Sequence, residues 1–200
     1  MIEAGTEKQF VWGGGNWIFL DIGFSGAKDA RGRTCGLVIG DAEPGLLNFA
    51  EAKKRIVDYL VGSRALVNLV IEAPLSVCFN AEGLPTGRSI ETRDGKNRFW
   101  YVGAGCSMMV ASMYLLSAIL EALPRSTIRL FEAFISYKDA DAKSDHKREA
   151  KTLRDAVRSP GQFPCRKFAA HELKTRTDDD LFSAFRVLGA DCGVPAVIML

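Results

Sequence analysis

The chain has 200 residues, of which 48% are apolar and 25% are charged, and its formal net charge is +2. These values are typical of one soluble globular domain. A net charge this small excludes overall charge as an indication of a nucleic-acid or membrane partner.

The five cysteines are scattered along the chain and include no Cys-x-x-Cys pair. This pattern disfavours a zinc centre or a disulfide framework and predicts reduced thiols in a cytoplasmic protein. The N-terminus lacks the charged-then-apolar order of a signal peptide. The longest apolar run, 104–120, is interrupted by serines and is short for a membrane span, so we predict a buried core helix and no membrane association.

Residues 1–16 form a polar lead-in, and 17–200 are predicted to form a single domain. The first strand is predicted over 17–22, with Trp17, Phe19 and Asp21 on one face. Both faces are apolar, which is typical of a central strand covered on both sides. A buried carboxylate is costly unless it is compensated, so Asp21 is either a satisfied structural acid or part of a metal or catalytic site.

The remaining elements follow from hydrophobic periodicity and turn residues. A helix between two strands indicates a crossover, so we expect the strand that ends in Glu72 to be parallel to its sheet neighbour. In order, the predicted elements are strands at 33–40 and 45–49, a helix at 51–61, a strand at 65–72, a helix at 106–122, a strand at 127–134, a basic helix at 143–158 and a helix at 181–189.

An irregular insertion is predicted at about 76–103, rich in glycine, arginine and aromatic residues. Long loops in compact domains are often functional, and Arg93 and Arg98 are candidates for binding a phosphate backbone. Packing of the aromatic residues on the core explains the same composition equally well. Lys28, in the loop after the first strand, and Lys147, in the basic helix, are further candidates for binding substrate.

Carboxylates lie near the ends of three apolar strands, as Asp21, Glu72 and Glu132. In an open α/β sheet, binding sites form outside the carboxyl ends of the strands. If their strands are parallel neighbours, Asp21 and Glu72 lie about 5 Å apart, one inter-strand spacing. Carboxylates that close repel each other unless a cation lies between them, and Mg²⁺ or Mn²⁺ prefers such oxygen ligands.

The triplet 178–180 adds acids before the predicted helix at 181–189. Thr177 as N-cap and acids in the first turn explain this segment structurally. The functional alternative is that one of the acids reaches back to the sheet.

Several short motifs together resemble the ribonuclease H-like superfamily, and most closely its uncharacterised family of predicted RNase H-like nucleases. The motifs are Leu-Asp-Ile-Gly around Asp21, Val-Ile-Glu-Ala-Pro-Leu around Glu72, Arg93-Asp94, Phe-Glu-Ala-Phe around Glu132, and Asp-Asp-Leu-Phe-Ser-Ala-Phe from Asp179. The resemblance implies a mixed five-stranded sheet of order 3-2-1-4-5 with helices on both faces, and a two-metal carboxylate site.

By position, the resemblance makes Asp21 the first-strand acid, Glu72 the second-strand acid, and Asp179 or Asp180 the helix acid. Glu132 is either a further metal ligand or a support for the strand end. A related resolvase-type pattern has an acid where this chain has Ser183. The metal site is therefore one ligand short or is completed by Asp179.

The expected function is metal-dependent hydrolysis of phosphodiester bonds in DNA or RNA, with Mg²⁺ or Mn²⁺ as cofactor. Two alternatives remain. Residues 21–28, from Asp21 to Lys28, resemble the phosphate loop of actin-like ATPases and sugar kinases, which are much longer proteins with a second lobe. The other alternative is a non-catalytic nucleic-acid-binding protein on the same fold.

Overall fold

The computed structural model describes residues 1–24, 32–93, 95–135 and 145–200. In these ranges the α-helices are α1 (Phe49–Gly62), α2 (Ala104–Ala122) and α3 (His146–Arg158). The strands are β1 (Ile2–Ala4), β2 (Asn16–Asp21), β3 (Cys35–Ile39), β4 (Gly45–Leu47), β5 (Val67–Glu72), β6 (Ser76–Phe79), β7 (Thr92–Arg93), β8 (Lys96–Asn97), β9 (Ile128–Phe134), β10 (Arg166–Phe168), β11 (Asp180–Ser183) and β12 (Val197–Met199).

A mixed sheet of eight strands forms the centre of the fold. Its order is β10-β12-β9-β5-β2-β3-β4, and β1 pairs with β9 beside this path. Neighbours among β2, β5, β9 and β12 are parallel, whereas β3 is antiparallel to β2. The parallel pairing of β2 with β5 confirms the prediction made from the crossover, and it places Asp21 in register with Glu72.

Helices cover both faces of the sheet, as predicted. Helices α1 and α2 pack through residues such as Ile56 and Leu115 on the face formed by Ile18, Leu20 and their neighbours. Helix α3 packs on the opposite face through Ala150, Leu153 and Val157. These side chains contact a cluster of strand residues from β2, β5 and β9, namely Trp17, Phe19, Val70 and Phe131. Both faces of β2 are thereby removed from water, which explains its nearly continuous apolar sequence.

The expected number of strands, five, is wrong because segments near both ends of the chain extend the sheet. The lead-in at 1–16 contains β1, which pairs with β9, and buries Phe10 among aromatic rings. The apolar C-terminal run forms β12, which pairs with the other part of β9 and with β10.

The segment 76–103 is more regular than its composition predicts. Strand β6 pairs with β11, and β7 forms a short hairpin with β8. The predicted helix at 181–189 is therefore wrong: its first residues belong to β11, and a 3-10 helix follows at Ala184–Leu188. Pairing with β6 supplies backbone hydrogen bonds that outweigh the local helical pattern.

Helix α2 is long and apolar enough to cross a membrane by length and composition alone. One face, including Leu115 and Ile119, is buried against the sheet, while Val110 and Tyr114 are exposed. The predicted core helix is thus half buried. The prediction that the basic helix begins at 143 falls partly outside the described residues, which show α3 from His146 onward.

Candidate functional site

A cavity of about 800 Å³ lies at the carboxyl ends of β2, β5 and β9. Its wall includes residues that follow these strands, the first turn of α2, the end of the β7–β8 hairpin, and two side chains of α3. They are Ile22, Gly23, Phe24, Glu72, Ala73, Pro74, Asn97, Arg98, Phe99, Val102, Ala104, Gly105, Ser107, Met108, Ala133, Phe134, Ile135, His146 and Glu149. This is the edge at which open α/β sheets bind ligands.

Asp21, the last residue of β2, lies beneath this wall and is fully buried. Its Oδ1 accepts a hydrogen bond from Nδ1 of His146 at 2.7 Å. Its Oδ2 has no hydrogen-bond partner among the residues that the structure describes. A fully buried carboxylate oxygen without a donor is energetically costly and is therefore a position where a cation would be stabilised.

His146 and Glu149 lie three residues apart in the first turn of α3, so their side chains share one side of the helix. Asp145 begins the helix as its N-cap, with its side chain accepting a hydrogen bond from the backbone N–H of Arg148. The start of α3 comes down onto the sheet because two glycines leave room for it. A Cβ at Gly23 would overlap the His146 ring, and one at Gly36 would overlap the His146 backbone.

Asp21, His146 and Glu149 form a compact cluster of possible metal ligands. One ligand atom from each lies within 4.8 Å of the others. Nδ1 of His146 is 2.7 Å from the Asp21 carboxylate and 3.4 Å from that of Glu149. In the described parts of the chain, no other group of three histidine, cysteine or acidic side chains meets this distance.

The cluster shifts the pKa of its members. Burial raises the pKa of Asp21 well above its ordinary range, although the hydrogen bond from His146 opposes this shift. Burial lowers the pKa of His146, but hydrogen bonds to Asp21 and Glu149 outweigh it and raise the pKa to about 10. At neutral pH, a proton on His146 therefore occupies the position between the carboxylates that a metal ion would otherwise take.

Two residues expected from the sequence line the cavity beside this cluster. Glu72 is the register partner of Asp21 on β5, and Arg98 follows the β7–β8 hairpin. Arg98 is an exposed residue of the cavity wall.

Glu132 belongs to a different environment from the one expected. It is in register with Ile71, on the sheet face covered by α1 and α2, whereas Asp21 lies on the α3 face. Its Oε2 accepts hydrogen bonds from Arg88 at 2.7 Å and from the Leu75 backbone at 2.8 Å. Glu132 is thus part of a buried ion pair that ties the 76–103 segment to the sheet, which agrees with the alternative that it supports the strand end, and it is not grouped with Asp21.

The acids of the 178–180 triplet are also not grouped with Asp21. Asp179 is buried and accepts a hydrogen bond from the Arg176 backbone, while Asp180 is exposed and pairs with Phe79 at the far end of β6. Arg93 and Lys147 are exposed and do not line the cavity. Lys28 lies outside the described residues.

His146 and Glu149, the two residues that complete the cluster, were not predicted from the sequence. The only signal was local: a His-x-x-Glu spacing directly after an N-cap aspartate, within a segment that is otherwise an ordinary basic helix. The spacing places both side chains on one side of a helix but does not say which strand that side meets.

The fold and the cluster define a mixed α/β protein with a carboxylate–histidine site at the carboxyl edge of its central strands. Neither a scan against models of known protein families nor searches of curated proteins and solved structures return a match for this chain.

Proposed function

We propose that this protein hydrolyses phosphodiester bonds of nucleic acid, using a divalent cation held by Asp21, His146 and Glu149. The observation that carries the proposal is the convergence of these side chains on the buried Asp21 carboxylate, whose Oδ2 has no hydrogen-bond partner among the described residues, beside a cavity large enough for a substrate.

The residues fit a divalent cation of intermediate softness. Two carboxylates and one imidazole are ligands that Mn²⁺ accepts, whereas Mg²⁺ prefers oxygen ligands alone. We therefore expect Mn²⁺ to be the better cofactor of the two. Because His146 holds a proton in the metal-free state, binding of the cation releases that proton, and metal affinity rises with pH.

When bound, such a cation would neutralise phosphate charge and lower the pKa of a water that it binds toward neutrality. The chain's own residues supply the surroundings of that chemistry. Glu72 adds a carboxylate to the cavity wall, close enough in the sheet to interact with a cation or to accept a proton. Arg98 provides a planar guanidinium that suits a phosphate group.

The topology supports placing this chemistry in the ribonuclease H-like class. What supports this placement is the run β4-β3-β2-β5-β9 inside the eight-stranded sheet, in which β3 is antiparallel to both of its neighbours. In this proposal, His146 and Glu149 of α3 take the place that the resemblance gave to Asp179 or Asp180, and β1, β10 and β12 extend the class's sheet.

The test is Mn²⁺ binding by isothermal titration calorimetry, combined with cleavage of labelled single-stranded and duplex DNA and RNA. Asp21→Asn should abolish both Mn²⁺ binding and cleavage. The matched control is Asp58→Asn, which changes an exposed acid on α1 and should leave both unchanged. Cleavage that survives Asp21→Asn, or a wild-type protein that binds no Mn²⁺, would contradict the proposal.

A second candidate is a nucleic-acid-binding protein without catalysis. The observation that favours it is the contact of His146 with both carboxylates, at 2.7 Å from Asp21 and 3.4 Å from Glu149, since a protonated imidazole there compensates them without any metal. This candidate predicts salt-dependent binding of nucleic acid that is the same with Mn²⁺ and with EDTA, and no cleavage.

A further inference from the structure

The cavity wall carries both charged and apolar side chains. Glu72, His146 and Glu149 supply carboxylates and an imidazole, while Ile22, Met108 and other apolar side chains form much of the remainder. A phosphate group bound to a cation suits the first set, and an apolar face of a ligand suits the second.

Two apolar side chains at the rim of the cavity face water. Phe24 is 47% exposed and Val102 is 56% exposed, and both line the cavity. They come from different elements, the end of β2 and the segment before α2. The Phe24 ring, whose centroid is 6.2 Å from that of Phe49, is an exposed aromatic surface on which a base can stack, and Val102 adds an apolar contact.

The wall that carries Val102 is held in place by buried contacts. Trp100 is buried, and its indole N–H donates to the Thr86 carbonyl at 3.0 Å. The Phe99 ring lies where a Cβ of Gly87 would be, and it stacks on Tyr101 with centroids 5.3 Å apart. This wall is therefore built before a ligand arrives, which lowers the entropic cost of binding.

We propose that the cavity holds one unstacked nucleotide of a single strand, with its phosphate beside Glu72, His146 and Glu149 and its base against Phe24 and Val102. This inference rests on the proposed function and specifies its substrate. A volume of about 800 Å³ is in the range of pockets that enclose a small molecule. Bases in a duplex stay stacked inside the helix and reach such a pocket only after being flipped out.

Polar groups in the same wall suit the edge of a base. The Asn97 Oδ1 accepts a hydrogen bond from Thr92 at 3.0 Å, and the amide NH2 of Asn97 is a donor that suits a base carbonyl. The Ser107 hydroxyl donates to the Gly103 carbonyl at 3.4 Å, and its oxygen can accept from a base. Both are exposed in the free protein, so a base in the cavity would lie within reach of them.

The experiment compares two phosphates in the presence of Mn²⁺, thymidine 5′-monophosphate and ribose 5-phosphate, which lacks a base. We expect the nucleotide to bind about tenfold more tightly, because stacking of a base on an aromatic side chain contributes an affinity of this order. Equal affinities would contradict the nucleotide pocket and leave the proposed function intact. A wild-type protein that binds neither phosphate would contradict the proposed function itself.

Substitutions at two positions of α2 test where the base of the nucleotide binds. Ser107→Phe places a ring in the cavity from an exposed position, so it should remove the preference for the nucleotide while Mn²⁺ binding and the thermal melt remain. Val110→Phe makes a change of similar kind at an exposed position outside the cavity wall and should keep the preference. Unchanged nucleotide binding in Ser107→Phe would overturn the assignment.

Competition gives an independent readout. A single-stranded oligothymidine should displace the nucleotide, and a blunt duplex of the same length should not. Equal displacement by the duplex would contradict selection of an unstacked nucleotide.

Discussion

Asp21 and His146 are 125 residues apart in the chain, yet Nδ1 of the histidine donates a hydrogen bond to the aspartate at 2.7 Å. This contact joins the end of the central strand to the first turn of α3. It explains why α3 begins above the carboxyl edge of the sheet, and it creates the cluster on which the proposed metal site depends.

The first prediction separates the site in the structure from the site expected from the sequence. Glu149→Gln should lower Mn²⁺ affinity about tenfold or more, since it removes a charged ligand from the cluster. Asp180→Asn should leave the affinity unchanged, because Asp180 is exposed on β11 and is not part of the cluster. Calorimetric titration of both variants with Mn²⁺ is the measurement, and the reverse pattern would restore the sequence-based ligand set.

The second prediction concerns pH and the metal-free protein. The folded-state pKa of His146 is raised to about 10 from an ordinary 6.5, so its folded form binds a proton more tightly than its unfolded form. Its contribution to the free energy of unfolding is thus fully present below pH 6.5 and is lost as the pH rises through about 10.

The measurement is the difference in melting temperature between wild type and His146→Gln in EDTA, at pH 7.5 and at pH 10.5. We expect the difference to shrink at the higher pH. Titrating groups that do not contact His146 cancel in the comparison, whereas Asp21 and Glu149 interact with His146 and belong to the effect that is measured. A difference that stays constant or grows would show that protonated His146 does not stabilise the fold.

The third prediction tests the close packing of α3 on β3. Gly36→Ala should lower the free energy of unfolding by about 1–3 kcal/mol, because the new Cβ overlaps the His146 backbone, which cannot move aside independently of the helix. It should also weaken Mn²⁺ binding by displacing His146 and Glu149. Gly45→Ala is the control, since a Cβ there makes ordinary contacts. Urea denaturation measures the stability of both variants, and equal stabilities would contradict the close packing of α3 on β3.

The fourth prediction assigns Glu132 to stability instead of metal binding. Glu132→Gln should destabilise the protein by about 3 kcal/mol, because it removes the charge from a buried pair with Arg88. Mn²⁺ affinity should not change, since Glu132 lies on the other face of the sheet. Glu43→Gln, at an exposed position, serves as control in the same denaturation and titration experiments. A stable variant with weakened Mn²⁺ binding would reverse the assignment.

Much of the sheet could be predicted because its determinants are local. The apolar run of β2 and the amphipathic pattern of α1 identify these elements without reference to the rest of the chain. The crossover predicts that β5 is parallel to its neighbour in the sheet, and the structure shows that this neighbour is β2, with Asp21 in register with Glu72. Asp21 is a candidate site residue from the sequence because its strand, like two others, carries an acid near its end.

The other part of the site depended on packing between distant segments. Alternation along β9 shows that Glu132 and Ala133 point to opposite faces, but only the register with β5 decides which face each one joins. Likewise, the pattern at 181–189 is compatible with a helix, and only the available partner β6 makes its first residues a strand.

Asp21 shows most clearly which features depend on the sequence alone and which depend on the tertiary structure. The sequence by itself determined that an acid ends a strand buried on both sides, since composition and alternation are properties of neighbouring residues. The tertiary structure decided that its partners are His146 and Glu149 and not the acids of 178–180. The physical reason is that Gly23 and Gly36 admit the first turn of α3 to the sheet, and such steric fit between segments is not encoded in any local pattern.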